Sequence, residues 1–262
     1  MADDVQVVLA DLDDTLFDHA HATRQALARL REIEPRWAAW PVREFEARHS
    51  EILELLHQDV LTGRLTVDAA RVERFHRLLA AAPGAQRATA ARAVEIAMAY
   101  RAEYERGWQP VPGALELLNA LADDGIRVAV VTNNLAAEQR LKVRRCGLDR
   151  YLTALVTSEE VGAMKPAAAI FTAALRAASA DAAGAVMLGD GWPTDIAGAR
   201  AAGIRAVWFN RLGAAAPDAD VPQLRSLLPT RDAVAVLRGQ KQMDSRGTRG
   251  TSRRLQGSTV KK

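Results

Sequence analysis

Cysteine is nearly absent. One residue, Cys146, stands in a chain of 262, which excludes an internal disulfide and a zinc site built from cysteines. It falls in Arg144-Arg145-Cys146-Gly147, at the expected end of a helix, and reads as ordinary packing. Long apolar runs are missing too. None approaches the roughly 18 to 20 residues that a membrane helix requires, and the opening Met1-Ala2-Asp3-Asp4 is acidic where a secretory leader is basic. The expectation is a soluble cytoplasmic protein with no membrane partner. Aromatic residues are 5% of the chain.

A surplus of positive charge is missing outside one segment. Residues 239–262 carry Lys241, Arg246, Arg249, Arg253, Arg254, Lys261 and Lys262 against Asp244 alone. That surplus exceeds the whole chain's net charge of +3 and leaves the body mildly acidic. The segment is rich in Gly, Ser and Thr and poor in large apolar residues, so it cannot bury enough surface to fold. No aromatic residue is interleaved with its charges to stack on bases, which speaks against a nucleic-acid partner. Oligomeric state is left open between monomer and dimer.

What the chain does have is a short Val-rich run, Val5 to Ala10, that stops at Asp11, Asp13 and Asp14. Its length and composition predict a strand buried on both faces of a parallel sheet. The carboxylates must then lie where the strand ends and a loop meets water. Asp11 and Asp13 are two apart, so in extended backbone they point to one side. Two such carboxylates persist if a cation lies between them or if one stays protonated. The plainer alternative is an Asp-rich turn that ends a strand.

From Asp18, an expected N-cap, to about residue 107 only helical patterns occur, with stops at Pro35, Gly63 and Pro83-Gly84 and a cap expected at Thr66. The rhythm then changes. Strands are expected at Ile126–Val131, Ala154–Thr157, Ala185–Leu188 and Ala206–Phe209, alternating with helices near 114–124, 135–145, 167–178, 194–202 and 231–238. Alternation of this kind implies βαβ units and a parallel sheet. The right-handed crossover rule brings every strand's C-terminal end to one edge. That edge gathers Asp11 and Asp13, Thr132 and Asn133, Lys165, and Asp190 with Asp195. Carboxylates, a hydroxyl, an amide and a lysine suit a phosphate held against Mg²⁺, a hard ion that takes oxygen ligands. No histidine or cysteine joins them, which argues against zinc.

Four segments of that edge, Asp11-Leu12-Asp13-Asp14-Thr15, Val130-Val131-Thr132-Asn133, Lys165-Pro166 and Gly189-Asp190-Gly191-Trp192-Pro193-Thr194-Asp195, resemble in order the four motifs of the haloacid dehalogenase-like (HAD) hydrolase superfamily. The resemblance spans residues 5 to about 210. It implies a Rossmann-like α/β core, residues 1–18 and 108–238, and an all-helical cap, residues 19–107, with a basic tail at 239–262. It implies Asp11 as nucleophile, Asp13 as general acid and base, and Lys165 as the neutralising cation. Thr132, Asn133 and Lys165 would bind the substrate phosphate. Mg²⁺ would be held by Asp11, Asp190 and the backbone carbonyl of Asp13, with Asp195 ligating through water or orienting Lys165. Thr15 would support the loop.

An acid at Asp13 resembles phosphatases and phosphomutases of the family, since displacing halide needs no proton. The implied substrate is a small phosphorylated metabolite. The stretch Trp40 to Phe75 vaguely resembles caps of nucleotide and sugar-phosphate phosphatases. The alternatives are a phosphomutase, or a non-catalytic protein that binds a phosphorylated ligand. His19 and His21 are expected at a solvated helix start, and Arg140, Lys142, Arg144 and Arg145 on a solvated helix face. Gly189 and Gly191 suit a tight turn, and Trp192 is expected under the cap or at the substrate entrance.

Overall fold

The computed structural model describes residues 5–84 and 88–240; the basic tail expected beyond Gln240 lies outside them. The fold grows from β1 (Val7–Ala10), whose four residues are all buried. Alternate side chains serve opposite layers. Val8 and Ala10 join one apolar cluster with Val130, Val186 and Leu188, while Val7 and Leu9 join another with Ala129, Val131 and Met187. Burial on both faces is what an all-parallel sheet demands of its strands.

Five more strands complete the sheet: β2 (Arg127–Thr132), β3 (Leu152–Thr157), β4 (Ala185–Gly189), β5 (Arg205–Phe209) and β6 (Gln223–Leu224). Every pairing is parallel, in the order β3-β2-β1-β4-β5-β6. The chain builds outward from β1 to β3, then returns to the other side of β1 at β4. The C-terminal end of β1 is therefore a topological switch point, where open α/β sheets form a crevice. β6 has no counterpart among the expected strands, because two residues are too few to show a period.

Between β1 and the first helix of the core lie four helices: α1 (His19–Ile33), α2 (Val42–Leu61), α3 (Val67–Ala81) and α4 (Ala90–Arg106). No strand occurs among the described residues of this insert, as the pattern predicts. Asp18 caps α1 by accepting from the His21 N–H at 3.2 Å, and Thr66 caps α3 by accepting from Ala69 at 3.2 Å. Such caps satisfy N–H groups that have no partner inside the helix. The insert has its own buried centre in Trp37, Phe45, Phe75, Leu78 and Ile96.

The core helices are α5 (Ala114–Asp123), α6 (Ala136–Arg145), α7 (Ser158–Val161), α8 (Ala168–Ala177), α9 (Gly198–Ala201) and α10 (Thr230–Leu237), with a wide helical turn, Trp192–Ala197, before α9. No helix among the described residues is long and apolar enough to cross a membrane. Cys146 is buried beside α6, and burial pushes its thiol up to about 11.

Insert and core meet over α6. Glu138 accepts from Arg71 of α3 at 2.9 Å and from Arg101 of α4 at 2.6 Å. His57 of α2 donates to the Asn133 carbonyl at 3.2 Å. One carboxylate thus ties two insert helices to the core. Glu138→Ala is expected to cost on the order of 1 kcal/mol, and to speed amide hydrogen exchange in α3 and α4 while leaving the central strands protected. Unchanged exchange in both helices would contradict this reading of the junction.

Candidate active site

The site is built at the strand ends. β1 ends at Ala10, one residue before Asp11, β2 ends in Thr132, and β4 ends in Gly189, one residue before Asp190. Beyond Asp11 the backbone tightens. The N–H groups of Leu16 and Phe17 both donate to the Leu12 carbonyl, at 3.0 and 2.8 Å, and Asp14 adopts φ 64°. Asp tolerates that left-handed conformation better than most residues. Its carboxylate accepts from the Ala20 N–H at 2.7 Å, which anchors the loop to the start of α1. Thr15 lies fully buried within this loop.

Lys165 arrives from the loop after β3 and α7. Its ammonium donates to Asp11 Oδ1 at 2.6 Å and to the Val131 carbonyl at 2.8 Å, and lies 2.7 Å from Asp195 Oδ1. Two of the ammonium's three donors have hydrogen-bond acceptors, and Asp195 adds a second carboxylate charge beside it. The side chain is 2% exposed. Burial works against its charge, but Asp11 and Asp195 outweigh it and hold the ammonium well above its usual range. Asn133 braces the same loop at both backbone ends. Its Nδ2 donates to the Lys165 carbonyl at 2.9 Å, and its Oδ1 accepts from the Lys165 N–H at 2.7 Å.

Asp195 is equally committed. Besides Lys165 it accepts from the Gly191 N–H at 2.9 Å through Oδ2. Gly189 makes room for it: a Cβ there would fall 2.4 Å from Asp195 Oδ2 and 2.6 Å from Asp195 Cβ. The glycine is thus required by a close approach as well as by the turn. Trp192 takes neither expected place. It packs edge-on against Trp208, 5.0 Å between ring centroids, and Trp208 Nε1 donates to the Asp190 carbonyl at 2.8 Å.

Carboxylate oxygens of Asp11, Asp190 and Asp195 lie within 4.8 Å of one another. Burial, with Asp195 and Asp190 nearby, pushes the Asp11 carboxyl well above the carboxylate range despite Lys165. Burial and then Asp195 and Asp14 push Asp190 up to about 7. The donor set is oxygen only, and its negative charge is under-compensated by one lysine. Those residues fit a hard divalent cation.

A pH dependence follows. The folded protein keeps a proton on Asp190 that the unfolded chain gives up near 3.8. That contribution to stability is complete below the unfolded value and is lost as pH rises toward 7. A cation binds the ionised form, so its stabilising effect grows over the same window. Thermal midpoints with Mg²⁺ and with chelator should therefore diverge more at pH 8 than at pH 6. A gap that is constant or that narrows with pH would contradict the cluster's role.

Asp13 behaves differently from the sequence expectation. Its carboxylate does not share a place with that of Asp11; each carboxylate has its own lysine. Lys142 Nζ lies 2.5 Å from Asp13 Oδ1, and Gln139 Nε2 donates to Asp13 Oδ2 at 2.8 Å and to Thr132 Oγ1 at 2.7 Å. Burial opposes its charge, but Lys142, His19 and Gln139 hold the carboxyl well below its usual range.

Lys142 is 2% exposed and lies 4.9 Å from the Phe17 ring centre, so the solvated face expected for α6 needs correction. Arg140, Arg144 and Arg145 do face water, whereas Gln139 and Lys142 are three apart and share the buried face. His19 is corrected likewise. Its Nδ1 is 2.7 Å from the Tyr104 hydroxyl, and burial lowers its proton affinity. Gln139 and Lys142 are the site residues that motif reading missed; the available signal was their helical spacing.

A parallel sheet with a switch-point crevice, a carboxylate cluster and a buried lysine defines a class: an α/β protein with a charged site at its strand ends. Comparison with known proteins narrows it. The family model for haloacid dehalogenase-like hydrolases matches residues 5–203. The chain is 34% identical over 208 residues to the ribulose-1,5-bisphosphate 5-phosphatase of Halopiger xanaduensis, covering 78% of this chain and 84% of that one. It is 31% identical over 220 residues to the glyceraldehyde 3-phosphate phosphatase of Pyrococcus abyssi, covering 78% and 81%. The crystal structure of the HAD-hydrolase YfnB from Bacillus subtilis shares the fold, with a TM-score of 0.69 at 24% identity over 89% of this chain and 99% of that one. The chain belongs to the haloacid dehalogenase-like hydrolases.

Proposed function

We propose that this phosphatase cleaves phosphomonoesters of small metabolites through a covalent aspartyl-phosphate on Asp11. The observation that carries the reading is the Lys165 ammonium, shared between Asp11 and Asp195 at 2.6 and 2.7 Å in a buried pocket. It opposes the burial and the neighbouring carboxylates that push the Asp11 carboxyl up, and so favours the ionised state that a nucleophile needs. One Asp11 oxygen bonds to phosphorus as the ester P–O bond breaks and the alcohol departs with a proton. Water then attacks phosphorus, which frees Asp11 and inorganic phosphate. Thr132, the Asn133 backbone and Lys165 hold the phosphate oxygens and meet the charge that spreads over them.

Asp13 is the proposed acid and base. Its ionised state beside Lys142 and Gln139 suits the second half-reaction, where it takes a proton from the attacking water. A bound phosphate anion competes for Lys142 and raises the Asp13 carboxyl, which favours the proton-donating state when the first half-reaction needs it. Asp11 and Asp190 would hold Mg²⁺, together with the Asp13 carbonyl. Asp195, whose Oδ1 lies beside the Lys165 ammonium and whose Oδ2 accepts from the Gly191 N–H, holds Lys165 in place. The cation, when bound, neutralises charge on the phosphoryl group. The helical insert serves as the cap: it closes over the phosphate, excludes water and contacts the leaving group.

The relatives named as ribulose-1,5-bisphosphate and glyceraldehyde 3-phosphate phosphatases favour a small sugar-derived phosphate over a nucleotide. The test is hydrolysis of a generic aryl phosphate with Mg²⁺ and with chelator. Activity is expected only with the cation. Full activity in chelator would remove the carboxylate cluster from the account.

A further inference from the structure

A cavity of about 150 Å³ lies between the helical insert and α6. Its lining includes Lys142 and His19 beside the site, and Arg71, Arg74, Tyr100 and Arg101 among apolar side chains of the insert. It therefore runs from the neighbourhood of Asp13 into the insert.

The cations on this lining differ in one respect. Arg71 and Arg101 both pair with Glu138, and Lys142 pairs with Asp13. Arg74 pairs with no carboxylate among the described residues, and its buried Nε has no hydrogen-bond partner. The residue is 7% exposed. Its guanidinium lies 4.9 Å from the Phe75 ring centre and 4.7 Å from that of Tyr100. Contact with aromatic faces recovers only part of what it costs to bury a guanidinium without a counter-ion. His49 packs against the same two rings with both ring nitrogens unpartnered, and burial and Arg74 keep it neutral. No protein anion completes the arrangement. A buried fork of N–H donors with no acceptor is suited to an incoming carboxylate or phosphate, which it meets with two parallel hydrogen bonds.

We propose that the cavity receives the substrate's leaving group and that Arg74 binds a second anionic group on it, a carboxylate or a second phosphate. The proposal rests on the hydrolase reading of the Asp11 site. A cavity of about this volume holds a molecule the size of benzene, so a few carbons separate the ester oxygen from the second anion, and a nucleoside is too large.

The test compares kcat/KM for four phosphomonoesters with Mg²⁺. Phenyl phosphate and glycerol 1-phosphate have neutral leaving groups, phosphoglycolate adds a carboxylate, and propane-1,3-diol bisphosphate adds a second phosphate. The wild type is expected to prefer one of the two acidic substrates over glycerol 1-phosphate, and which one identifies the anion. In Arg74→Gln that preference should fall by about 30-fold, the scale of a hydrogen bond to a charged group. Arg74→Lys, which keeps the charge but not the fork, should recover part of it and also serves if the glutamine variant fails to fold. A preference for neutral leaving groups in the wild type, or an unchanged ratio in both variants, would overturn the proposal while phenyl phosphate turnover left the hydrolase reading intact. If none of the four is hydrolysed, calorimetric titration with phosphoglycolate and with the bisphosphate decides. Weaker binding to Arg74→Gln supports the anion site although the hydrolase reading has failed, and equal binding overturns both.

Discussion

Replacing Lys165 with methionine is expected to destabilise the protein by about 3–5 kcal/mol, in addition to abolishing turnover. Among the described residues the ammonium is the one cation paired with both Asp11 and Asp195, and it also satisfies the Val131 carbonyl. Methionine fills similar volume but leaves two buried carboxylates facing each other. For a chain of this size the thermal midpoint should drop by roughly 6–20 °C. The drop should be larger at pH 8 than at pH 5. Without the lysine the Asp11 carboxyl loses the charge that opposes its upward shift, so low pH neutralises it and relieves the repulsion. The double variant Lys165→Met/Asp195→Asn removes one of the two charges and should regain a good part of the stability but none of the activity. A Lys165→Met midpoint within 2–3 °C of wild type, on the scale of about 1 kcal/mol, would show that the buried charges are not coupled as their distances imply.

Asp11→Asn should separate chemistry from stability in the opposite sense. The amide keeps the shape of the side chain and leaves Lys165 an acceptor, yet it cannot attack phosphorus. Turnover should fall by on the order of 10⁴-fold or more, as when a catalytic nucleophile is removed elsewhere. Stability in chelator should hold or rise, because burial and the neighbouring Asp195 and Asp190 already disfavour charge at this position. The stabilising effect of Mg²⁺ should shrink, since one ligand is lost. Activity within tenfold of wild type would rule out Asp11 as the nucleophile.

How much of this was legible in the sequence depended on whether a residue's partner was local. The Val-rich run before Asp11 and the strands before Thr132 and Asp190 announce themselves by composition, and the crossover rule brings their ends together. Lys165 is legible because it follows a strand in the same alternation. Lys142 was not. On a helix with three neighbouring arginines, a lysine looks solvated unless its carboxylate is known, and that carboxylate, Asp13, lies 129 positions away. Gln139 and His19 were missed for the same reason: their partners, Asp13 and Tyr104, become neighbours only when the sheet and the insert have formed. Trp192 was misplaced because its neighbour Trp208 belongs to a strand that the motif does not include. The two-residue β6 carried no periodic signal at all.

The central claim is that Asp11 becomes phosphorylated during turnover. The most direct measurement is rapid acid quench of the wild type with aryl phosphate and Mg²⁺, followed by peptide mass analysis. A phosphoryl group on the peptide containing Asp11, present during turnover and absent from Asp11→Asn, is the predicted result. Continued turnover with no adduct at Asp11, or an adduct confined to another residue, would contradict it.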